Sequence, residues 1–307
     1  MRASVTAILL IALIAFNGCK NKTALDDNGI PGKLVIGVFG GENPGRTQNI
    51  MEPIRVYMEK KLGMEVEMHI VNDYTTVIEA LHAKKIHMAY LGPFSYVLAS
   101  QRKDIEPIAV LGLYGKPYMY HSNIFVRSNS GLNSMADVKA RAKNLTLCFT
   151  DPVSTSGHLV PRAYLNSIGL NPDNAFKETM FAGSHAASVL TVAAGKVDIG
   201  CATDEYGVNL LVKRGQVKPG ALKIIWISDP IVGSPIVIRK DINKDFAKKV
   251  QQFYLDFAKD QPLMFDRYIK VYYVQHQANL AYIAIQDSMF NSIRKMVNGV
   301  KDLEPVN

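Results

Sequence analysis

The stretch Asp151-Pro152-Val153-Ser154-Thr155-Ser156-Gly157-His158-Leu159-Val160-Pro161 follows an apolar run, Leu145 to Phe149. Beyond its first hydroxyls, Leu159, Ala163, Leu165 and Ile168 recur at roughly helical spacing before Gly169. The apolar run reads as a buried strand, the recurring residues as one face of a helix, and the glycine as its stop. Three consecutive hydroxyl side chains therefore stand where a strand turns into a helix. The first N–H groups of a helix have no partner inside it, and its dipole favours negative charge there. Ser and Thr add O–H donors aimed at the same point. Two readings follow: Ser154 or Thr155 caps the helix, or the turn receives a small oxyanion.

Working outward, the same alternation recurs on both sides. Strands are predicted over 33–38, 66–71 and 86–91, with helices over 50–61, after Asn72-Asp73, and over 94–99. A second set places strands over 145–149, 177–181 and 197–202, with helices over 157–167, 184–194 and 206–214. Strand–helix alternation with short connections means a parallel sheet covered by helices, so an α/β chain with two such sheets is expected. The extended segments 123–127 and 224–227 are expected to cross from one lobe to the other, and 241–298 to be helical and pack back on the first. The expected organisation is one lobe from 33–122 plus 235–307 and a second from 123–234, crossing segments included. Ligands of open parallel sheets sit beyond the carboxyl ends of the strands. The loops Phe39–Gly45, Asn72–Thr76, Leu91–Ser95, Asp151–Gly157, Ala182–His185 and Thr203–Glu205 then face a common cleft.

The 307 residues are 48% hydrophobic and 20% charged, a packed globular composition. Met1-Arg2 precedes an apolar run from Val5 to Phe16 and then Asn17-Gly18-Cys19. This is the layout of an export signal, 1–18, and it is too short to span a membrane. A Cys after Gly18 resembles the lipobox of bacterial lipoproteins, although Phe16 and Asn17 depart from its usual Leu and small residue. Lipidation at Cys19 is expected, with 19–32, polar and punctuated by Gly and Pro, as the tether. Cys148 and Cys201 fall inside predicted strands and are favoured as buried free thiols, although pairing is not readable from sequence. No metal-ligand spacing is present and no cofactor is expected. The formal charge of +8 allows an anionic ligand or a membrane surface. Its cations lack aromatic interleaving, which argues against nucleic acid.

The eleven-residue stretch resembles the D-P-x-S-T-S-G-x-x-x-P signature of the phosphate, phosphite and phosphonate-binding proteins of ABC importers. Asp73-Tyr74, Tyr90-Leu91-Gly92-Pro93-Phe94, Gly183-Ser184-His185, Gly195-Lys196-Val197-Asp198 and the 226–239 segment stand in the same order as in that family. The resemblance implies a two-lobed periplasmic binding protein of type II, with two parallel-rich sheets joined by two crossing strands. It implies a phosphorus oxyanion held by Ser154, Thr155 and Ser156, a further hydrogen bond from His185, and closure by Tyr74 from the opposite lobe. Glu205, with Asp204 as the alternative, falls where a carboxylate meets an amino or hydroxyl group of the ligand. Leu91 stands where relatives often have an aromatic ring, and Ser234 where aminoalkylphosphonate binders place Asp. Those departures favour phosphite, methylphosphonate or phosphate over 2-aminoethylphosphonate. The implied partners are a membrane permease and its ATPase, with the chain tethered outside the cytoplasmic membrane.

Two other classes are separable. A hydrolase using Ser154 or Ser156 with His158 or His185 as base needs an orienting acid and a Gly-x-Ser-x-Gly elbow, which this chain lacks. A sensory lipoprotein of the same fold, reporting to a membrane kinase, has the same sequence features.

Overall fold

The computed structural model describes residues 23–40, 44–71, 73–204, 207–272, 279–300 and 303. The export signal and Cys19 lie outside the described residues. Two mixed sheets organise the rest. In the first, Leu34–Phe39 lies between Val66–Val71 and Met88–Tyr90, all parallel. The sheet continues antiparallel through Pro235–Arg239, Ile105–Leu113 and Leu280–Ile283. In the second, Ile199–Thr203, Thr146–Phe149 and Glu178–Phe181 run parallel, while Ser122–Arg127 and Leu222–Ile227 join antiparallel.

Apolar side chains on both faces of the strands explain why each sheet is covered twice. Leu34, Ile36 and Val38 pack with Met51, Ile54 and Met58 of the helix Pro44–Leu62 and with Val250 and Phe253 of the helix Lys244–Asp260. Val35, one step out of phase, packs instead with Val77, Ile78 and Leu81 of the helix Tyr74–His82. Among the described residues no helix is long and apolar enough to cross a membrane.

Three expectations change. The segments 123–127 and 224–227 do not cross between lobes; they are antiparallel strands inside the second sheet. The crossing is a two-stranded ribbon, Met119–Tyr120 against Ile231–Val232. An apolar extended run looks the same in either role, and complete burial of Ile124, Phe125 and Val126 fixes it here. Within 241–298, a strand, Leu280–Ile283, interrupts the helices and pairs with Ile105–Leu113. Finally, the part of the tether from Thr23 to Pro31 is folded onto the first lobe. The Asp26 carboxylate accepts from the N–H groups of Asn28 and Ile30, Leu25 bridges Pro31, and Asn243 binds the carbonyls of Asn28 and Gly29.

Cys148 and Cys201 are buried free thiols. Cys148 lies opposite Gly200, so Cys201 points to the other face of the sheet. Their separate packing, Cys148 with Phe125 and Cys201 with Phe149, keeps them apart.

Candidate functional site

The strand Thr146–Phe149 ends at Thr150, and the chain enters its helix through a single π turn, Thr155–Leu159, before the α-helix Val160–Ser167. Leu159 N–H reaches back to the Ser154 carbonyl (3.0 Å) and Val160 N–H to that of Thr155. Such widened turns cluster at functional sites. Gly157 is what permits it. A Cβ there would lie 1.8 Å from Thr150 Oγ1, and Thr150 N–H also donates to the Gly157 carbonyl (3.1 Å).

The three hydroxyl residues are each only 3% exposed. Ser154 is the helix cap: its Oγ accepts from Gly157 N–H at 3.1 Å. A capping hydroxyl still has its own hydrogen to donate, so the cap and anion readings are compatible. The Ser156 carbonyl accepts from the buried Ser122 hydroxyl (2.6 Å), which fixes the loop to the second sheet. Thr155 faces the other lobe. Its Oγ1 accepts the N–H of Phe94 at 2.9 Å. Phe94 belongs to the helix Pro93–Ala99, whose capping position is Gly92 and has no side chain to offer. The orphan donor of one lobe is thus capped by a hydroxyl of the other.

Other groups of the first lobe converge on the same point. A Cβ on Gly92 would lie 3.3 Å from Ser95 Oγ, 3.5 Å from Thr155 Oγ1 and 3.8 Å from Tyr74 Cε1. The Tyr74 ring stacks on Phe39, centroids 4.0 Å apart, and Asp73 caps its helix through Thr76 N–H. Leu91 is buried in an apolar cluster that spans both lobes, with Val77 and Phe94 on one side and Val153, Leu159 and Val160 on the other. The cleft is closed.

His185 begins the helix His185–Ala193, which Ser184 caps. Its Nδ1 accepts from Thr203 N–H at 3.2 Å, so the neutral ring carries its proton on Nε2. Burial pushes its pKa down to about 4, which keeps it neutral. Asp204 is tied to the crossing segment: its carboxylate accepts His121 N–H at 2.9 Å, and its own N–H donates to the His121 carbonyl. Burial raises its pKa. Burial also raises that of Asp151, and the like charge of Asp73 across the gap adds to the effect. Ser234 is exposed, unlike the hydroxyls of the loop. Glu205 lies outside the described residues.

Behind the loop runs a buried relay that the sequence did not announce. His158 donates from Nδ1 to the Pro152 carbonyl (2.7 Å) and accepts at Nε2 from Arg162 (2.9 Å). Arg162 in turn grips Asp173 with both terminal nitrogens, at 2.8 and 2.7 Å. Burial holds His158 neutral, its pKa down to about 4. Both ring nitrogens are engaged, so His158 is not placed as a base for Ser154 or Ser156. A hollow of about 850 Å³ elsewhere on the first lobe, lined by Lys103, Lys240, Asp287 and Arg294, touches none of these residues.

The family described as "ABC transporter, phosphonate, periplasmic substrate-binding protein" matches residues 36–280. The chain is 30% identical over 266 residues to the phosphate-import protein PhnD of Mycolicibacterium smegmatis, covering 83% of this chain and 81% of that one. It is 32% identical over 227 residues to the phosphonates-binding periplasmic protein of Escherichia coli K12, covering 74% and 66%. Its fold matches the crystal structure of a binding-protein component of an ABC phosphonate transporter from Pseudomonas aeruginosa. The TM-score is 0.77 at 26% identity, covering 89% of this chain and 87% of that one. With the match running through the signature loop and both sheets, the chain belongs to the periplasmic substrate-binding proteins of the ABC phosphonate transporter family.

Proposed function

We propose that this protein captures a small phosphorus oxyanion between its lobes and delivers it to a membrane permease driven by an ATPase, while lipidated Cys19 keeps it at the membrane surface. The observation that carries the reading is the burial of Ser154, Thr155 and Ser156, 3% exposed each, in a loop pressed against the opposite lobe. Hydroxyls whose oxygens already accept from Gly157 and Phe94 N–H still have their own hydrogens to donate, and with helix-start N–H groups they supply the donors that a compact anion requires. In this reading Ser154, Thr155 and Ser156 bind the oxyanion through hydroxyl and backbone hydrogens. His185 donates from Nε2, Tyr74 closes the gap through its phenol, and Leu91 walls the apolar side of the ligand. Glu205 takes a ligand hydroxyl or amine.

Phosphite, methylphosphonate and phosphate fit best. Ser234 brings no charge to meet an ammonium, and its exposure supports that view. The relatives' own names divide between phosphate and phosphonates, so the choice among ligands rests on this chain's residues. Nothing here breaks a bond in the ligand; the protein is a carrier and not an enzyme. Calorimetric titration with phosphite, methylphosphonate, phosphate and 2-aminoethylphosphonate tests the reading. Tight binding of at least one of the first three is expected. Tight binding of the amine alone contradicts it.

A further inference from the structure

The π turn at the start of the loop helix leaves one carbonyl over. Its N–H groups reach five residues back, Leu159 to the Ser154 carbonyl and Val160 to that of Thr155. The next bond in that series would run from residue 161 to Ser156, and residue 161 is proline, which has no N–H to give. The Gly157 carbonyl beyond it is already taken by Thr150 N–H (3.1 Å). Ser156 is buried, so water does not readily serve as its donor, and a buried carbonyl left unpaired is costly.

The donor comes from outside the helix. Ser122, fully buried, gives its hydroxyl hydrogen to the Ser156 carbonyl at 2.6 Å. Ser122 opens the strand Ser122–Arg127, just past the crossing strand Met119–Tyr120. A second buried serine fixes its backbone on the return crossing: Ser122 N–H donates to Ser228 Oγ (3.0 Å), and the Ser122 carbonyl accepts Ser228 N–H (2.9 Å).

The bond from Ser122 holds the peptide that joins Ser156 to Gly157. The C=O and N–H of a trans peptide point in opposite directions. Here the C=O goes to Ser122 and the N–H to Ser154 Oγ (3.1 Å). Ser154 thus accepts from within the loop and keeps its own hydrogen for the gap between the lobes. The N–H groups of Thr155 and Ser156 are the first of the turn and have no partner inside it. Their peptide planes are set by the bonds from Leu159 and Val160. A Ser156 carbonyl released from Ser122 is free to swing toward the gap, where its partial negative charge opposes an anion.

We infer that Ser122 is a positioning residue of the oxyanion loop: it supplies the donor that Pro161 withholds, and so keeps the Ser156 carbonyl turned away from the ligand. The inference rests on the oxyanion reading above. Ser122 acts through Ser156 and Ser154, from behind the loop.

The test is calorimetric titration of the wild type and variants with phosphite, methylphosphonate and phosphate, with melting temperatures measured with and without each. In open Ser122→Ala protein the released carbonyl turns to the water of the gap, and the ligand must turn it back. The Kd of the tightest probe is expected to rise about tenfold or more, and the melting shift that the probe produces to shrink. A merely structural role lowers both melting temperatures alike and leaves that shift unchanged. Ser122→Cys keeps the shape with a weaker donor; it is expected between the two, and it carries the same test if the Ala variant does not fold. Pro161→Ala restores an N–H five residues on from Ser156. In that background Ser122→Ala is expected to weaken binding several-fold less than in the wild type, as read from the double-mutant cycle. Binding by Ser122→Ala within twofold of the wild type, an unchanged melting shift, or an equal loss in both backgrounds overturns the inference and leaves the oxyanion site standing. A wild-type protein that binds none of the three probes overturns the site and, with it, the role of Ser122.

Discussion

Thr155→Val removes one oxygen and keeps the shape of the side chain. In the closed protein, Thr155 Oγ1 is the acceptor for Phe94 N–H at 2.9 Å, and both residues are almost fully buried. The substitution leaves that N–H without an acceptor, which costs about 1–3 kcal/mol. In an open cleft water reaches the same N–H, so the cost falls on the closed form alone. Binding is linked to closure, so the apparent Kd rises by about 5- to 150-fold from this contact. Loss of the hydroxyl's own bond to the anion adds to the increase. Thr155→Ser retains the oxygen and recovers most of the affinity. Titration calorimetry with the tightest ligand reads the affinity, and small-angle scattering with and without ligand reads closure. A Thr155→Val protein that binds within twofold of the wild type refutes the coupling of anion to closure.

Gly157→Ala drives a methyl into Thr150, whose Oγ1, Cγ2 and Cβ lie 1.8, 2.5 and 2.7 Å from the added carbon. A loss of about 2–4 kcal/mol in unfolding free energy is expected, together with loss of binding; urea denaturation and titration measure the two. Arg162→Met breaks the grip on Asp173 and the support to His158, and a loss of about 1–3 kcal/mol is expected because Asp173 is partly solvated. The pKa of Asp173, which Arg162 depresses, returns toward its ordinary value in that variant. His87, His158 and His185 are each held neutral with pKa about 4 against an ordinary 6.5. Unfolding exposes them, so the unfolded chain binds more protons between about pH 4 and 6.5, and stability falls on acidification through that window, by up to about 3 kcal/mol per ring. Asp151 and Asp204, whose pKa values burial raises, act in the opposite sense near the acid end and offset part of the loss. Calorimetric melting at pH 7 and pH 4.5 checks this; equal melting temperatures contradict it.

Local pattern carried the sequence reading a long way. Alternation and periodicity found the parallel half of each sheet, because each of those strands leads into a helix that hides one of its faces. The run of hydroxyls at the entry to a helix marked the loop, since few other compositions give three adjacent donors there. The antiparallel halves were not legible. Whether Ile124 to Val126 pairs inside a sheet or bridges two lobes depends on its neighbours in space, and the residues themselves are the same in both cases. The polar segment from Thr23 to Pro31 looked like a tether because its partners, His87 and Asn243, are far away in the chain. The bond from Phe94 to Thr155 was hidden for the same reason. Gly92-Pro93 did leave a trace of it, as a helix start with no capping side chain. The relay from His158 to Asp173 was half legible: His158 and Arg162 are four apart on one helical face, but nothing local marks Asp173 as the end of the chain.

The most direct measurement is a crystal structure of the protein with phosphite or methylphosphonate. The ligand is expected between the lobes, its oxygens about 2.6–3.1 Å from hydroxyl or backbone donors of Ser154, Thr155 and Ser156, with every bond of the ligand intact. Ligand density outside the gap, or those hydroxyls turned away from it, contradicts the account.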